Sequence, residues 1–169
     1  GAGAFATPAL YADLAAAAAD SSGTALSGTL AMAYVHGPLG ERLTVGCGAA
    51  GFHCMSLAGD AVLDSLELTF ELQPYSHAWT LRARASLVHA RFGSLTLQTS
   101  TPLRGVLAPD GSLGPVEAGR LVVRRAAGGR VAVLFSGPDS ARLRADEDGD
   151  GIIDLNVPTS WTALLASAE

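Results

Sequence analysis

From Asp146 to Leu155 the chain reads Asp-Glu-Asp-Gly-Asp-Gly-Ile-Ile-Asp-Leu, and four of its ten aspartates fall within residues 146–154. Carboxylates at alternate positions of a tight loop converge on one point. At an effective dielectric of about 20 and a spacing of about 5 Å, each like-charged pair costs roughly 3 kcal/mol. A cation that gathers the oxygens removes that cost. The ion required is hard and takes six or seven oxygens at flexible angles, which describes Ca²⁺ better than Mg²⁺. Asp146, Asp148 and Asp150 are the expected side-chain ligands, the carbonyl of Ile152 supplies a backbone oxygen, and Asp154 closes the site. Gly151 permits the sharp turn that a residue with a side chain resists. The competing reading is a solvated acidic turn that holds no metal.

The first half of this segment fits an EF-hand, but its twelfth position is Val157 where a bidentate Glu belongs, and Pro158 follows. No long helix leads in or out. Ala141-Arg-Leu-Arg-Ala precedes the acids and Asp154-Leu-Asn-Val follows them, both strand-like. The segment resembles the calcium loop of FG-GAP repeats in integrin-like propellers, where D-x-D-x-D-G-x-x-D-L joins two strands. The likeness covers the loop and not the propeller repeat. More widely, Val131 to Leu165 resembles a group of secreted or lipid-anchored bacterial β proteins. These end in a strand, a DxDGDGxxD loop, a second strand and a Thr-Thr-Trp-Ala-like piece, here Pro158-Thr-Ser-Trp-Thr-Ala-Leu-Leu165. That resemblance implies a calcium hairpin and supplies no enzymatic role.

The elements that position such a loop are legible from periodicity. Ser65-Leu-Glu-Leu-Thr-Phe-Glu-Leu72 alternates apolar and polar residues strictly, as a half-buried strand does. Trp79 to Leu87 alternates against Thr80, Arg82, Arg84 and Ser86, and Gln73–His77 joins the two as a hairpin. Glu67 and Glu71 then face Arg82 and Arg84 on the polar side. Further strands are expected at Leu26–Tyr34, Glu41–Cys47, Ser94–Gln98, Arg120–Arg124, Arg130–Phe135 and Ala141–Ala145. Ala126–Gly129 forms a hairpin turn and Thr101–Gly119, rich in Pro and Gly, a long irregular loop. Thr7-Pro8 starts an N-terminal helix through the alanine run to Asp20, with Thr7 as N-cap and Pro8 in the first turn. Thr159-Ser160 caps a short terminal helix carrying Trp161, Leu164 and Leu165. The expected fold is all-β: an antiparallel sandwich or a rolled sheet of about eight or nine short strands, with a helix at each end. Residues 1–23 form an N-terminal helical, apolar segment and residues 24–169 a single β domain.

Cys47 and Cys54 flank Gly-Ala-Ala-Gly-Phe-His. If strands on either side meet across a turn, the two approach closely enough for a disulfide worth roughly 2–3 kcal/mol. Two free, buried thiols in a cytosolic protein are the alternative. Zinc fits poorly, because His53 beside Cys54 leaves the wrong spacing and too few ligands. Gly46-Cys-Gly-Ala-Ala-Gly51 matches a dinucleotide-binding GxGxxG, but no helix pattern follows it. His36, His53, His77 and His89 are scattered, and no HExxH or GxSxG occurs.

Composition narrows the function. The formal net charge is −5, and all eleven basic residues are Arg. Phosphate backbones have no overall electrostatic reason to bind, so nucleic acid is not an expected partner. No apolar run is long enough for a transmembrane helix. The chain begins at Gly1 and its first twenty residues lack a basic n-region, as expected of a secreted or cell-surface protein whose signal peptide is already removed. The leading expectation is a non-catalytic extracellular domain stabilised by calcium, self-associating as a surface or pilus-like fibre subunit. The absence of Lys supports it, because soluble sheets commonly guard their edges with that residue. A carbohydrate-binding module is the second reading, though aromatics make up only 6% of the chain. A hydrolase using His77, His89 and Asp64 is the third.

Overall fold

The computed structural model describes residues 10–13, 25–38, 40–55 and 60–166. Their fold is all-β apart from one short helix. The strands are β1 (Leu10–Asp13), β2 (Ala25–Gly37), β3 (Gly40–Met55), β4 (Ala61–Leu72), β5 (Ala78–His89), β6 (Gly93–Val106), β7 (Ala118–Arg125), β8 (Arg130–Gly137), β9 (Ser140–Asp146) and β10 (Leu155–Thr159). Helix α1 (Trp161–Ala166) follows. Each strand pairs antiparallel with its neighbours in sequence, so one ten-stranded sheet runs from β1 to β10 in chain order. Short hairpin links make this the least demanding way to pair successive strands.

Residues directly opposite in an antiparallel pair share a face. Val45 stands opposite Met32 and Leu68, Leu68 opposite Ala83, and Phe70 opposite Leu81. Farther along, Leu97 faces Val123, Val123 faces Val131, and Val131 faces Ala145. The alternation within each strand therefore adds up to one apolar face across the sheet. The opposite face is polar over β4 and β5, with Glu67 opposite Arg84 and Thr69 opposite Arg82. Glu71 meets Thr80 in register, and Arg82 reaches it diagonally at 3.1 Å while Arg42 donates to it at 2.6 Å from the other side.

The tightest packing lies at one end of the apolar face. Trp79, Leu103, Val116, Phe135 and Ala141 are buried there, with Phe70, Leu81, Trp161 and Leu164 packed against them. The Trp161 ring meets Phe135 edge-on at 5.8 Å, so α1 acts as a lid on this end. The lid is tied down as the Ser160 N-cap predicts, with Ser160 Oγ accepting from the Ala163 N–H. Asp139, in the β8–β9 turn, accepts from both the N–H and the hydroxyl of Thr162. These bonds, the backbone one foremost, hold the Asp139 carboxyl below the ordinary carboxylate range.

Three expectations are corrected. Leu10–Asp13 is strand β1, paired with Thr29–Met32, and not the first turn of a helix. The helix pattern was amphipathic only at its start, and the open edge of β2 offers those residues a row of backbone partners. The remainder of the expected N-terminal helix lies outside the described residues. The segment around the cysteines does not reverse direction: Gly46 to Gly51 is a bulged stretch within β3. Cys54 stands opposite Leu26 and Cys47 opposite Leu30. Four strand positions span about 13 Å, well beyond the roughly 7 Å that a disulfide can bridge. The Cys47 thiol is free, and its Sγ lies 3.9 Å from the Leu63 carbonyl. Thr101–Val106 continues β6 instead of opening a loop. Pro102 is accommodated because the β6–β7 register shifts between Thr101 and Arg104, where no ladder N–H is needed. The irregular stretch shrinks to Leu107–Glu117, and its Val116 enters the core.

Candidate metal centre

The acidic loop joins β9 to β10 at the end of the sheet opposite α1. Its two strands pair from Ala145–Leu155 to Ala141–Thr159, so the acids bridge the mouth of a hairpin. Below them, the β7–β8 turn presses against the loop backbone to backbone. Gly149 has φ of +82°, and a Cβ there would come within 2.7 Å of the Gly129 nitrogen. Gly129 in turn has φ of +80°, and its Cβ would meet the Glu147 carbonyl. Both positions need glycine for conformation and for room.

Each aspartate of the loop accepts a backbone N–H from the loop itself. Asp146 Oδ1 accepts from Gly149 at 2.8 Å and Asp148 Oδ1 from Asp150 at 3.1 Å. Asp150 Oδ1 accepts from Ile152 at 2.7 Å and Asp154 Oδ2 from Glu147 at 2.7 Å. This local bonding is what Asp does in turns. It spends one oxygen of each carboxylate on the loop's own backbone. Oxygens of Asp146, Asp148 and Asp154 lie within 4.8 Å of one another, and this group could hold a metal ion. Asp150 is not part of that group, and Ile152 enters the loop's bonding through its N–H. Asp146 is only 2% exposed, whereas Asp148 and Asp154 face solvent.

One cation partly offsets the acids. Arg130 Nε stands 3.3 Å from Asp146 Oδ2. A buried carboxylate without such a partner carries a large desolvation cost, so this pair explains how Asp146 tolerates burial. Arg124 and Arg125 line the same shallow recess as Arg130, Asp146 and the glycines of both loops. Sequence reasoning missed Arg130, because only the β8–β9 register, which puts it opposite Asp146, brings it to the site.

The other candidate groups do not converge. His77 precedes β5 and His89 ends it, a separation of about 40 Å for an extended strand of that length. His77 belongs to the β4–β5 turn, His89 Nδ1 accepts from the Arg91 N–H, and Asp64 is an exposed residue of β4. His36 contacts Glu41 at 3.3 Å. The GxGxxG stretch lies inside β3 with no helix after it. Comparison with protein-family models, with curated proteins and with solved structures finds no match for this chain.

Proposed function

We propose that the protein is a non-catalytic, extracellular structural domain whose C-terminal hairpin is locked by Ca²⁺ and which self-associates through its sheet. The observation that carries this reading is the convergence of the Asp146, Asp148 and Asp154 carboxylates across the mouth of the β9–β10 hairpin. The donor set is hard oxygen in a loop whose backbone is already shaped by its own Asx bonds, which suits a large ion of irregular coordination better than the strict octahedron of Mg²⁺. Millimolar external Ca²⁺ fills even a modest site of this kind.

Self-association is supported by what the sheet leaves open. β10 has no partner strand on its outer side among the described residues, and its Leu155 and Val157 are exposed. Away from the α1 end, the apolar side chains of β2 to β4 are only partly buried. Unguarded edges and half-covered apolar faces are where sheets associate.

Calorimetric titration combined with sedimentation tests both parts. Ca²⁺ at about one hundred times its Kd should stabilise the fold by about 2.7 kcal/mol, with Mg²⁺ much weaker. The double variant Asp148→Asn/Asp154→Asn should abolish the heat of binding and the stabilisation. Sedimentation should show oligomers that grow with concentration. No heat in millimolar Ca²⁺, or a monomer at high concentration, overturns the corresponding half of the reading.

A further inference from the structure

The register gathers arginines that are far apart in sequence onto the polar face of the sheet. Arg84 lies on β5, Arg120 and Arg124 on β7, Arg130 on β8, and Arg142 and Arg144 on β9. Arg124 is directly opposite Arg130. A continuous row runs from Arg84 through Gln98, Val122 and Ala132 to Arg144 and Asn156. The adjacent row runs from Arg120 through Leu134 to Arg142. Arg130 is neutralised by Asp146. Among the described residues the other five form no ion pair, Glu67 stands opposite Arg84 in register, Arg142 Nη1 donates to Asn156 Oδ1 at 3.3 Å, and the Nε of Arg120 is buried without a hydrogen-bond acceptor. Val122 and Ala132, in the middle of the patch, are only 2% and 3% exposed. Arg120 and Arg124 flank Val122 along β7, and Arg130 and Arg144 border Ala132; arginines in such positions cover apolar surface with their stems and keep the charged end in water.

We infer that this face is a docking surface for an acidic polysaccharide, a chain carrying one carboxylate per sugar. Guanidinium groups hold carboxylates by paired parallel hydrogen bonds, and the Gln98 amide in the row between Arg84 and Arg144 suits sugar hydroxyls. Two features of this face narrow the partner. The β5–β10 part of this face carries no aromatic residue, so unpaired bases have nothing to stack on. The apolar residues at its centre are buried, so nothing projects with the charges to insert into a lipid surface.

The full chain should be titrated with polygalacturonate at low salt in the presence of EDTA, which removes any bridging of carboxylates by metal at the acidic loop. A urea melt in the same EDTA buffer checks that the β9–β10 hairpin carrying Arg142 and Arg144 stays folded, so a failure to bind is distinguished from a loss of the calcium lock. Polygalacturonate should bind and neutral dextran should not. Arg84→Gln/Arg142→Gln/Arg144→Gln should weaken binding roughly tenfold or more, and the single Arg144→Gln about threefold. Arg91→Gln, in the β5–β6 turn, should leave it unchanged. The inference is overturned if polygalacturonate does not bind at low salt, or if both Arg variants bind as the parent does. It is also overturned if duplex DNA or phosphatidylglycerol vesicles bind as tightly as polygalacturonate, since charge alone would then account for the binding.

Discussion

The two ends of the sheet are held by different forces. At the α1 end, Trp79, Leu103, Val116 and Phe135 exclude water under a short helix and an irregular loop. At the opposite end the β9–β10 loop buries one carboxylate and is shaped by hydrogen bonds from its own backbone, glycine contacts and an ion pair. Apolar burial is indifferent to ions and to modest changes of pH. The strands are the same elements at each end, so the contrast lies in what closes each one: apolar side chains at the first, backbone hydrogen bonds and charge at the second.

The strongest way to break the comparison is at the core end. Trp79→Ala should cost about 3–5 kcal/mol, read as a lower urea midpoint. The loss should be the same with Ca²⁺ and with EDTA, and a loss that depends on calcium would mean that the two ends are not separate. A smaller effect is expected at the loop end. Gly149→Ala, which strains a positive φ and pushes a methyl into the β7–β8 turn, should cost roughly 1–3 kcal/mol and should also weaken Ca²⁺ binding. An unchanged titration would show that the loop's shape does not set its affinity.

The smallest effect sharpens the picture of the polar face between the two ends. Hydrogen bonds from Arg42 first, and then from Arg82, hold the Glu71 carboxyl below the ordinary carboxylate range. A carboxyl whose pKa is lower folded than unfolded contributes stability above its unfolded value, and that contribution fades as pH falls through the folded one. These groups are largely solvated, so the amount stays below about 1 kcal/mol. Urea melts of the parent and of Arg42→Gln should differ at neutral pH and converge on acidification below the ordinary carboxylate range. A difference that persists in strong acid would assign the Arg42 contribution to packing of its stem.

Much of the fold was legible residue by residue. The Leu66–Leu72 and Trp79–Leu87 alternations correctly locate two strands and the hairpin between them. The acid spacing locates the loop, and Ser160 the start of α1. What was not legible depends on pairing. Whether Gly46–Gly51 turns or runs on as a strand is decided by β2 and β4 on either side, and with it the separation of Cys47 from Cys54. A weakly amphipathic segment such as Leu10–Asp13 takes the state its neighbour offers, here the open edge of β2. Arg-Leu-Arg at 142–144 announces a polar face on its own strand, but not that Arg84 and Arg120 share that face.

The sequence by itself therefore determined the strand class, the two-sided character of each strand and the cluster of acids, because period-two patterning and loop spacing act over a few residues. The tertiary structure decided that the strands form one sheet, that the cysteines stand apart, that Arg130 meets Asp146, and that distant arginines form one patch. Those outcomes follow from register, the alignment of strands across many residues, which no single strand encodes.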